Sequence, residues 1–124
     1  MLKNDFFTIV NQTLVEDKIR FTVRLDANHT IYKAHFPNNP ITPGVCTVQM
    51  TKELFSFYQK DDFVIQKIKT VKFSNPIIPN HHPQIYIDMM IDELDERVYV
   101  VKSTVCTDDI VFAKMNMQLK RGRL

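Results

Sequence analysis

Alternating apolar and polar residues run through most of the chain. From Lys18 to Leu25, four apolar residues alternate with four polar ones, which predicts a half-buried β-strand. The β-forming segment from Phe6 to Leu14 precedes it, and a hairpin through Glu16 and Asp17 is expected to join the two. Comparable patterns recur in four later segments, at positions 63–73, 85–91, 98–106 and 111–119. The sequence therefore predicts six strands.

One segment has a different pattern. From Gly44 to Gln59 the apolar residues fall on more than one face of a helix, which predicts a buried helix. Residues 26–43 contain prolines and asparagines without a sustained period and are predicted to form a loop. The order β-β-loop-α-β-β-β-β lacks the βαβ alternation of parallel sheets. It predicts an α+β fold in which an antiparallel six-stranded sheet wraps around one long central helix.

Composition narrows the class of protein. A length of 124 residues predicts a single domain over residues 1–124. Basic and acidic residues, 16 and 14 in number, are interleaved over most of the chain, which argues against a nucleic-acid partner. Two distant cysteines make no disulfide framework, and no apolar run reaches membrane-spanning length. With no signal-peptide pattern at the N-terminus, a cytoplasmic location is expected.

The segment HFPNNPITPGV, residues 35–45, carries the candidate chemistry. Thr42 is predicted to cap the helix and Pro43 to be its first residue, so backbone N–H groups, that of Gly44 above all, point out of the helix start. Such groups can hold a carbonyl oxygen that gains negative charge. Prolines at 37, 40 and 43 would keep the imidazole of His35 at a set distance, as proton abstraction beside a polarised carbonyl requires. The alternative is a proline-rich loop that only leads into a helix.

Two other groups of residues are candidates for chemistry. Cys46 falls in the first turn of the predicted helix, where a thiol pKa can be lowered, although a buried cysteine is the commoner outcome. His81 and His82 are adjacent and would point to opposite sides of a strand end, without a nearby third ligand. No metal site is predicted.

Two motifs resemble those of a known family. The pattern HFP-x-x-P-x-x-PGV, seven fixed positions from His35 to Val45, resembles the signature of the hotdog-fold 3-hydroxyacyl-(acyl carrier protein) dehydratases. VKFSNPIIP, residues 71–79, resembles the V-K-F-x-x-P-V-x-P strand and loop of the same family. The predicted element order also fits a hotdog, in which a sheet wraps a helix.

The resemblance implies a mechanism and a set of site residues. His35 would abstract a proton from C2 of a 3-hydroxyacyl thioester, and the N–H of Gly44 would hold the thioester oxygen. A helix carboxylate would then protonate the departing hydroxyl, giving a trans-2-enoyl thioester. Phe36, Pro43 and Val45 are implied to contact the substrate. No cofactor is expected, because the acyl chain arrives on the phosphopantetheine arm of an acyl carrier protein.

The sequence departs from the family at the acid. The carboxylate is implied fourteen positions after His35, where this chain has Gln49. An amide forms hydrogen bonds but cannot act as a general acid. Glu53, one turn further on, is expected to be a helix-surface residue rather than a replacement. His35 could instead return the proton itself, or a partner subunit could supply the acid.

Three hypotheses remain open on the sequence. The first is a dehydratase of 3-hydroxyacyl carrier-protein thioesters in fatty-acid or polyene-type synthesis. The second is an acyl thioesterase or enoyl isomerase, and the third is a non-catalytic hotdog subunit that binds acyl thioesters. The motif at His35 favours the first over the second, whereas Gln49 favours the third over the first. The resemblance also implies a homodimer or higher homo-oligomer, or a heterodimer with another hotdog subunit. Three lysines suggest either a surface for an acidic carrier protein or an ordinary outer strand face: Lys67, Lys69 and Lys72.

Overall fold

A computed structural model describes residues 1–122. One sheet contains six strands in the order β1-β2-β4-β5-β6-β3, and every neighbouring pair is antiparallel. The strands are β1 (Phe7–Val15), β2 (Lys18–Leu25), β3 (Phe63–Phe73), β4 (Gln84–Glu93), β5 (Val98–Cys106) and β6 (Val111–Arg121). The helices are α1 (Thr30–Ala34) and α2 (Gly44–Gln59). The predicted α+β architecture, a six-stranded antiparallel sheet with one long helix, is confirmed.

The first hairpin and the long helix have the predicted positions. Val15 pairs with Lys18, so Glu16 and Asp17 form the turn, and Glu16 has a positive φ of 60°. The long helix α2 covers the segment in which the apolar pattern predicted a helix, and Lys60 follows it in the left-handed conformation. Of the helices within residues 1–122, none has the length and apolar character needed to cross a membrane.

The core lies between α2 and the inner face of the sheet. Met50, Leu54 and Phe55 of the helix are fully buried. The ring of Phe55 packs edge-on against Phe63 and Tyr99, with centroids 4.7 and 5.4 Å apart. Each such side chain contributes roughly 1.5–3 kcal/mol on full burial, so these contacts fix the helix on the sheet and set where its two ends lie.

The helix α1 was not expected, because residues 26–43 were predicted to be a loop. His29 caps it: Nδ1 accepts a hydrogen bond from the N–H of Ile31 at 3.0 Å, and Nε2 lies 3.1 Å from Asp5. Tyr32 is buried and stacks on Phe6 at 5.1 Å between ring centroids. A helix of five residues is too short to show a period, and histidine is not among the preferred capping residues.

One edge of the sheet is apolar and exposed. Strand β3 pairs only with β6, and its register shifts twice along that pairing. Its exposed apolar side chains, each between 39% and 51% accessible, are Val64, Ile68, Val71 and Phe73. Three lysines on the same strand are exposed as well, namely Lys67, Lys69 and Lys72. A long exposed apolar edge is unusual unless another chain covers it.

Candidate active site

The imidazole of His35 is oriented by backbone groups. His35 follows α1, and its Nδ1 lies 3.1 Å from the carbonyl oxygen of Ile41. Since a carbonyl only accepts, Nδ1 carries a proton, and the lone pair of the neutral imidazole lies on Nε2. The N–H of Ile41 donates in return to the carbonyl of His35 at 3.0 Å. The side chain is thus held in the tautomer that can take up a proton at Nε2.

Phe36 covers one face of this imidazole. The two rings stack with centroids 4.4 Å apart and planes inclined by 22°. Phe36 is 49% exposed, while His35 is half-buried. The imidazole therefore has one apolar face and remains reachable from solvent.

The start of α2 differs from the sequence prediction. Pro43 takes the capping position, no side chain caps the helix, and Gly44 is the first helical residue. Thr42 is not the cap, because its hydroxyl is 2.8 Å from the buried hydroxyl of Tyr32 and its N–H donates to the carbonyl of Ile77. Burial raises the pKa of Tyr32 to about 12, while its hydrogen bond with Thr42 acts in the opposite direction. These contacts anchor the segment between His35 and the helix.

Two backbone donors are left at the helix start. The carbonyl of Pro43 accepts from the N–H groups of Cys46 and Thr47 at 3.0 and 3.2 Å. Within residues 1–122, no acceptor takes the N–H of Gly44 or of Val45. Both lie at the positive end of the helix dipole, where an oxygen that gains negative charge is stabilised. The helix start therefore retains the donors that the sequence predicted, although a different residue caps it.

The ring of Phe73 lies against Gly44. A Cβ at position 44 would come within 2.7 Å of Cζ of Phe73, so the ring occupies the space that a side chain would need. The two residues line a cavity of about 430 Å³ together with Thr47, Phe112 and the segment 74–77. This cavity places the helix start beside the apolar edge strand.

Gln49 and Glu53 lie on another cleft. This cleft, of about 1330 Å³, is bordered by the N-terminal residues, α2 and the start of β3. The amide nitrogen of Gln49 donates to Oε2 of Glu53 at 2.8 Å. The same carboxylate accepts from the N–H groups of Leu2 at 2.9 Å and of Lys3 at 2.8 Å. Glu53 is only 6% exposed, so the expectation that it is a helix-surface residue was wrong.

The predicted site residues are divided between regions within one protomer. His35 and Gly44 are joined by the short anchored segment that leads into α2, whereas Gln49 borders the larger cleft, which His35 does not line. Glu53 accepts three N–H donors on its two oxygens and is thus engaged as an acceptor rather than as a proton donor.

The remaining candidate residues differ in how far they are exposed and in what they contact. Val45 is 74% exposed at the helix start, and Pro43 is half-buried beside it. Cys46 is buried, and burial raises the pKa of its thiol, which disfavours the nucleophilic role considered for it. The ring of His82 packs against Phe112 at 5.2 Å. Across residues 1–122, no cluster of three metal-ligating side chains is present.

The architecture is that of the hotdog fold. The dehydratase heterocomplex ApeI:P from Xenorhabdus doucetiae superposes with a TM-score of 0.65 at 16% identity, over 91% of this chain and 96% of that one. A putative thioesterase from Lactococcus lactis superposes with a TM-score of 0.66 at 10% identity, over 94% and 92% of the two chains. At these identities the likenesses show the fold alone.

The family follows from the sequence match. The model of the ApeI-like family, described as ApeI dehydratase, matches residues 11–110, so this chain belongs to the ApeI-like dehydratase family. It is also similar to the 3-hydroxyacyl-[acyl-carrier-protein] dehydratase FabZ of Fusobacterium nucleatum, with 24% identity over 117 residues, 87% of this chain and 82% of that protein. The resemblance to hotdog 3-hydroxyacyl-(acyl carrier protein) dehydratases is confirmed.

Proposed function

We propose that this protein removes water from 3-hydroxyacyl thioesters carried on an acyl carrier protein. Nε2 of His35 takes a proton from C2, and the N–H of Gly44 binds the thioester oxygen as negative charge develops there. The observation that carries this proposal is the hydrogen bond from Nδ1 of His35 to the carbonyl of Ile41, which selects the tautomer of the neutral imidazole that has its lone pair on Nε2. The product is a trans-2-enoyl thioester.

The proton balance needs a donor to the leaving hydroxyl. Gln49 cannot provide it, and Glu53 is engaged with the N-terminal backbone. Two routes fit the chemistry. The imidazolium of His35 returns its proton to the hydroxyl oxygen, or a carboxyl group of a second subunit donates one. The first route needs no other chain, but it asks one group to serve both C2 and the hydroxyl on C3.

The exposed apolar side chains of the edge strand β3 are a reason to propose that the protein forms an oligomer. Its exposed apolar side chains continue to Phe73, which lies against Gly44, so a subunit docked on this edge would lie beside the helix start. The matched dehydratase of Xenorhabdus doucetiae is a heterocomplex, and we extend pairing between hotdog subunits to this chain. Light scattering of the purified protein tests the pairing. The mass of a single 14.6 kDa chain would contradict self-association.

A single assay tests the reaction against its alternatives. The purified protein is mixed with 3-hydroxydecanoyl thioester on a carrier protein, and enoyl absorbance and free thiol are recorded together. We expect the enoyl product to appear without thiol release, and His35→Ala to lower its rate by about 10²- to 10⁴-fold. Thiol release would identify a thioesterase. Binding of the substrate with neither signal would identify a non-catalytic subunit.

A further inference from the structure

A pair of buried hydroxyl groups ties the two ends of the segment between His35 and the helix start. Tyr32 lies in α1 three residues before His35, and Thr42 lies two residues before Gly44. Their hydroxyl oxygens are 2.8 Å apart, and the two residues are only 2% and 7% exposed. Residues 36–39, which lie between them along the chain, are exposed. The hydroxyl contact therefore closes an exposed loop from its buried side.

The peptide group between Ile41 and Thr42 has a hydrogen bond on each side. Its carbonyl oxygen, on Ile41, accepts from Nδ1 of His35 at 3.1 Å. Its N–H, on Thr42, donates to the carbonyl of Ile77 at 2.8 Å. Because a peptide group is planar, fixing the N–H also fixes the direction of the carbonyl. Successive hydrogen bonds polarise the groups they join, so the bond to Ile77 makes this carbonyl a stronger acceptor for the imidazole.

Tyr32 is held independently of this peptide group. Its ring stacks on Phe6 with the centroids 5.1 Å apart, and it lies in the short helix that ends at His35. The N–H of His35 donates to the carbonyl of Ile31 at 3.1 Å, so the backbone of His35 is part of that helix end. The contact between Tyr32 and Thr42 therefore joins the segment that carries the imidazole to the peptide group that carries its acceptor.

We propose that the hydroxyl pair of Tyr32 and Thr42 positions His35 for proton abstraction, by holding the carbonyl of Ile41 where it keeps the proton on Nδ1 and the lone pair on Nε2. This proposal deepens the proposed function and rests on the role of His35 in it. Tyr32 and Thr42 are positioning residues, because they act through the Ile41 carbonyl rather than on the reacting atoms. A pair that served stability alone could be exchanged for two apolar side chains of the same shape with little effect.

Three variants separate positioning from stability. Tyr32→Phe and Thr42→Val each leave the other hydroxyl buried without this partner, so both should lower the melting temperature. The double variant Tyr32→Phe/Thr42→Val removes both hydroxyls, and its melting temperature should return close to that of the unmodified protein. We expect all three to lower kcat by about 10- to 100-fold with KM little changed, as misplacement of a reacting group does. Recovery of kcat in the double variant, or a rise in KM with kcat unchanged, would overturn the proposal.

Tyr99→Phe is the matched control. Tyr99 is also buried, and its hydroxyl donates to Glu93 at 3.2 Å and accepts from Arg121 at 3.1 Å. It lies on β5 and does not line the cavity at Gly44. This variant should lower the melting temperature and leave kcat and KM unchanged. A fall in kcat equal to that of Tyr32→Phe would overturn the proposal, because the loss of any buried hydroxyl would then account for the effect.

The ring nitrogens of His35 give a measurement that does not depend on turnover. Nitrogen-15 NMR of the full chain, without substrate and at about pH 8, where free histidine is neutral, distinguishes a protonated ring nitrogen from an unprotonated one. His35→Ala identifies the signals of His35 among those of the four histidines. We expect the proton on Nδ1 in the unmodified protein and in Tyr99→Phe, and a mixture of both tautomers in the double variant.

The outcomes separate this inference from the proposed reaction. A proton on Nε2 in the unmodified protein, or an unchanged tautomer in the double variant, would overturn it even if the protein dehydrates its substrate. A tautomer that depends on the hydroxyl pair in a protein without dehydratase activity would support the positioning role and contradict the proposed reaction. If the single variants do not fold, or the double variant stays less stable, the tautomer of the double variant decides.

Discussion

The two ends of the candidate site on α2 use their polar groups in opposite ways. At the start of the helix, Nε2 of His35 and the N–H of Gly44 have no partner within residues 1–122 and face solvent or a cavity. Further along the helix, the polar groups of Gln49 and Glu53 bind each other, and Glu53 also binds the N-terminal backbone. The first end leaves its polar groups open, whereas the second pairs an amide with a carboxylate that also accepts from the N-terminal backbone.

The largest effect on the rate of dehydration is expected from replacing the amide of Gln49 by a carboxyl group. Gln49→Glu would place a carboxyl group within hydrogen-bond distance of Glu53, and two such groups share a proton because they cannot both ionise freely. We expect the rate of dehydration by the purified protein to rise about 10²- to 10⁴-fold, the usual contribution of a general acid. The carrier-protein assay measures this rate. An unchanged rate would contradict the view that this end lacks only its proton donor.

A smaller effect, on the free energy of unfolding, is expected at Tyr32, which anchors the segment between His35 and α2. Burial raises the pKa of Tyr32 from its ordinary value of 10 to about 12. The unfolded chain therefore loses this proton at a lower pH than the folded one. The resulting stability is complete below pH 10 and is lost as the pH rises from 10 to 12, with a total of about 2 to 3 kcal/mol.

Tyr32→Phe isolates this titration from that of other groups. The variant keeps the ring and removes the ionisable hydroxyl. Urea unfolding at several pH values should show the difference in unfolding free energy between the two proteins shrinking above pH 10. A difference that stays constant up to pH 12 would mean that Tyr32 titrates as an exposed tyrosine does.

The smallest effect on stability is expected at the helix start. In Gly44→Ala the new methyl group would displace the ring of Phe73, which is half exposed. Alanine is also the better helix former by about 1 kcal/mol, so the free energy of unfolding should change by no more than that amount. The methyl group nevertheless crowds the N–H donor, and we expect activity to fall.

Melting and activity of Gly44→Ala are measured on the same preparation. Phe73→Leu, which keeps the glycine, controls for displacement of the ring. An activity loss in Gly44→Ala that is matched by Phe73→Leu would assign the effect to the ring. A loss without that match would assign it to the backbone donor.

The sequence predicted the parts of the fold that depend on local pattern. The strands and the extent of α2 follow from periodicity and were recovered nearly residue by residue, apart from the cap of the helix. The placing of His35 near the helix start rests on the spacing of prolines and glycine over ten residues, and it stays a prediction. Both signals lie within one continuous stretch of sequence.

The predictions that were wrong concern contacts between residues that are far apart in the sequence. Thr42 has the side chain of a helix cap, but the buried hydroxyl of Tyr32 takes its oxygen. Glu53 appeared to be an exposed helix residue because its partners lie 50 and 51 positions away, at Lys3 and Leu2. No local pattern indicates that backbone amides from the chain's beginning will fold onto this carboxylate.

The reciprocal hydrogen bonds between His35 and Ile41 have a consequence for how the loop tolerates change. The N–H of Ile41 donates to the carbonyl of His35, and Nδ1 of the imidazole donates to the carbonyl of Ile41. The side chain of Ile41 therefore takes no part in either hydrogen bond. The number of residues between the two, rather than their identity, sets where the imidazole lies. One inserted residue would shift the carbonyl by up to about 3.8 Å, more than a hydrogen bond can span. Substitutions at positions 38 and 39 should therefore be tolerated far better than a change in loop length.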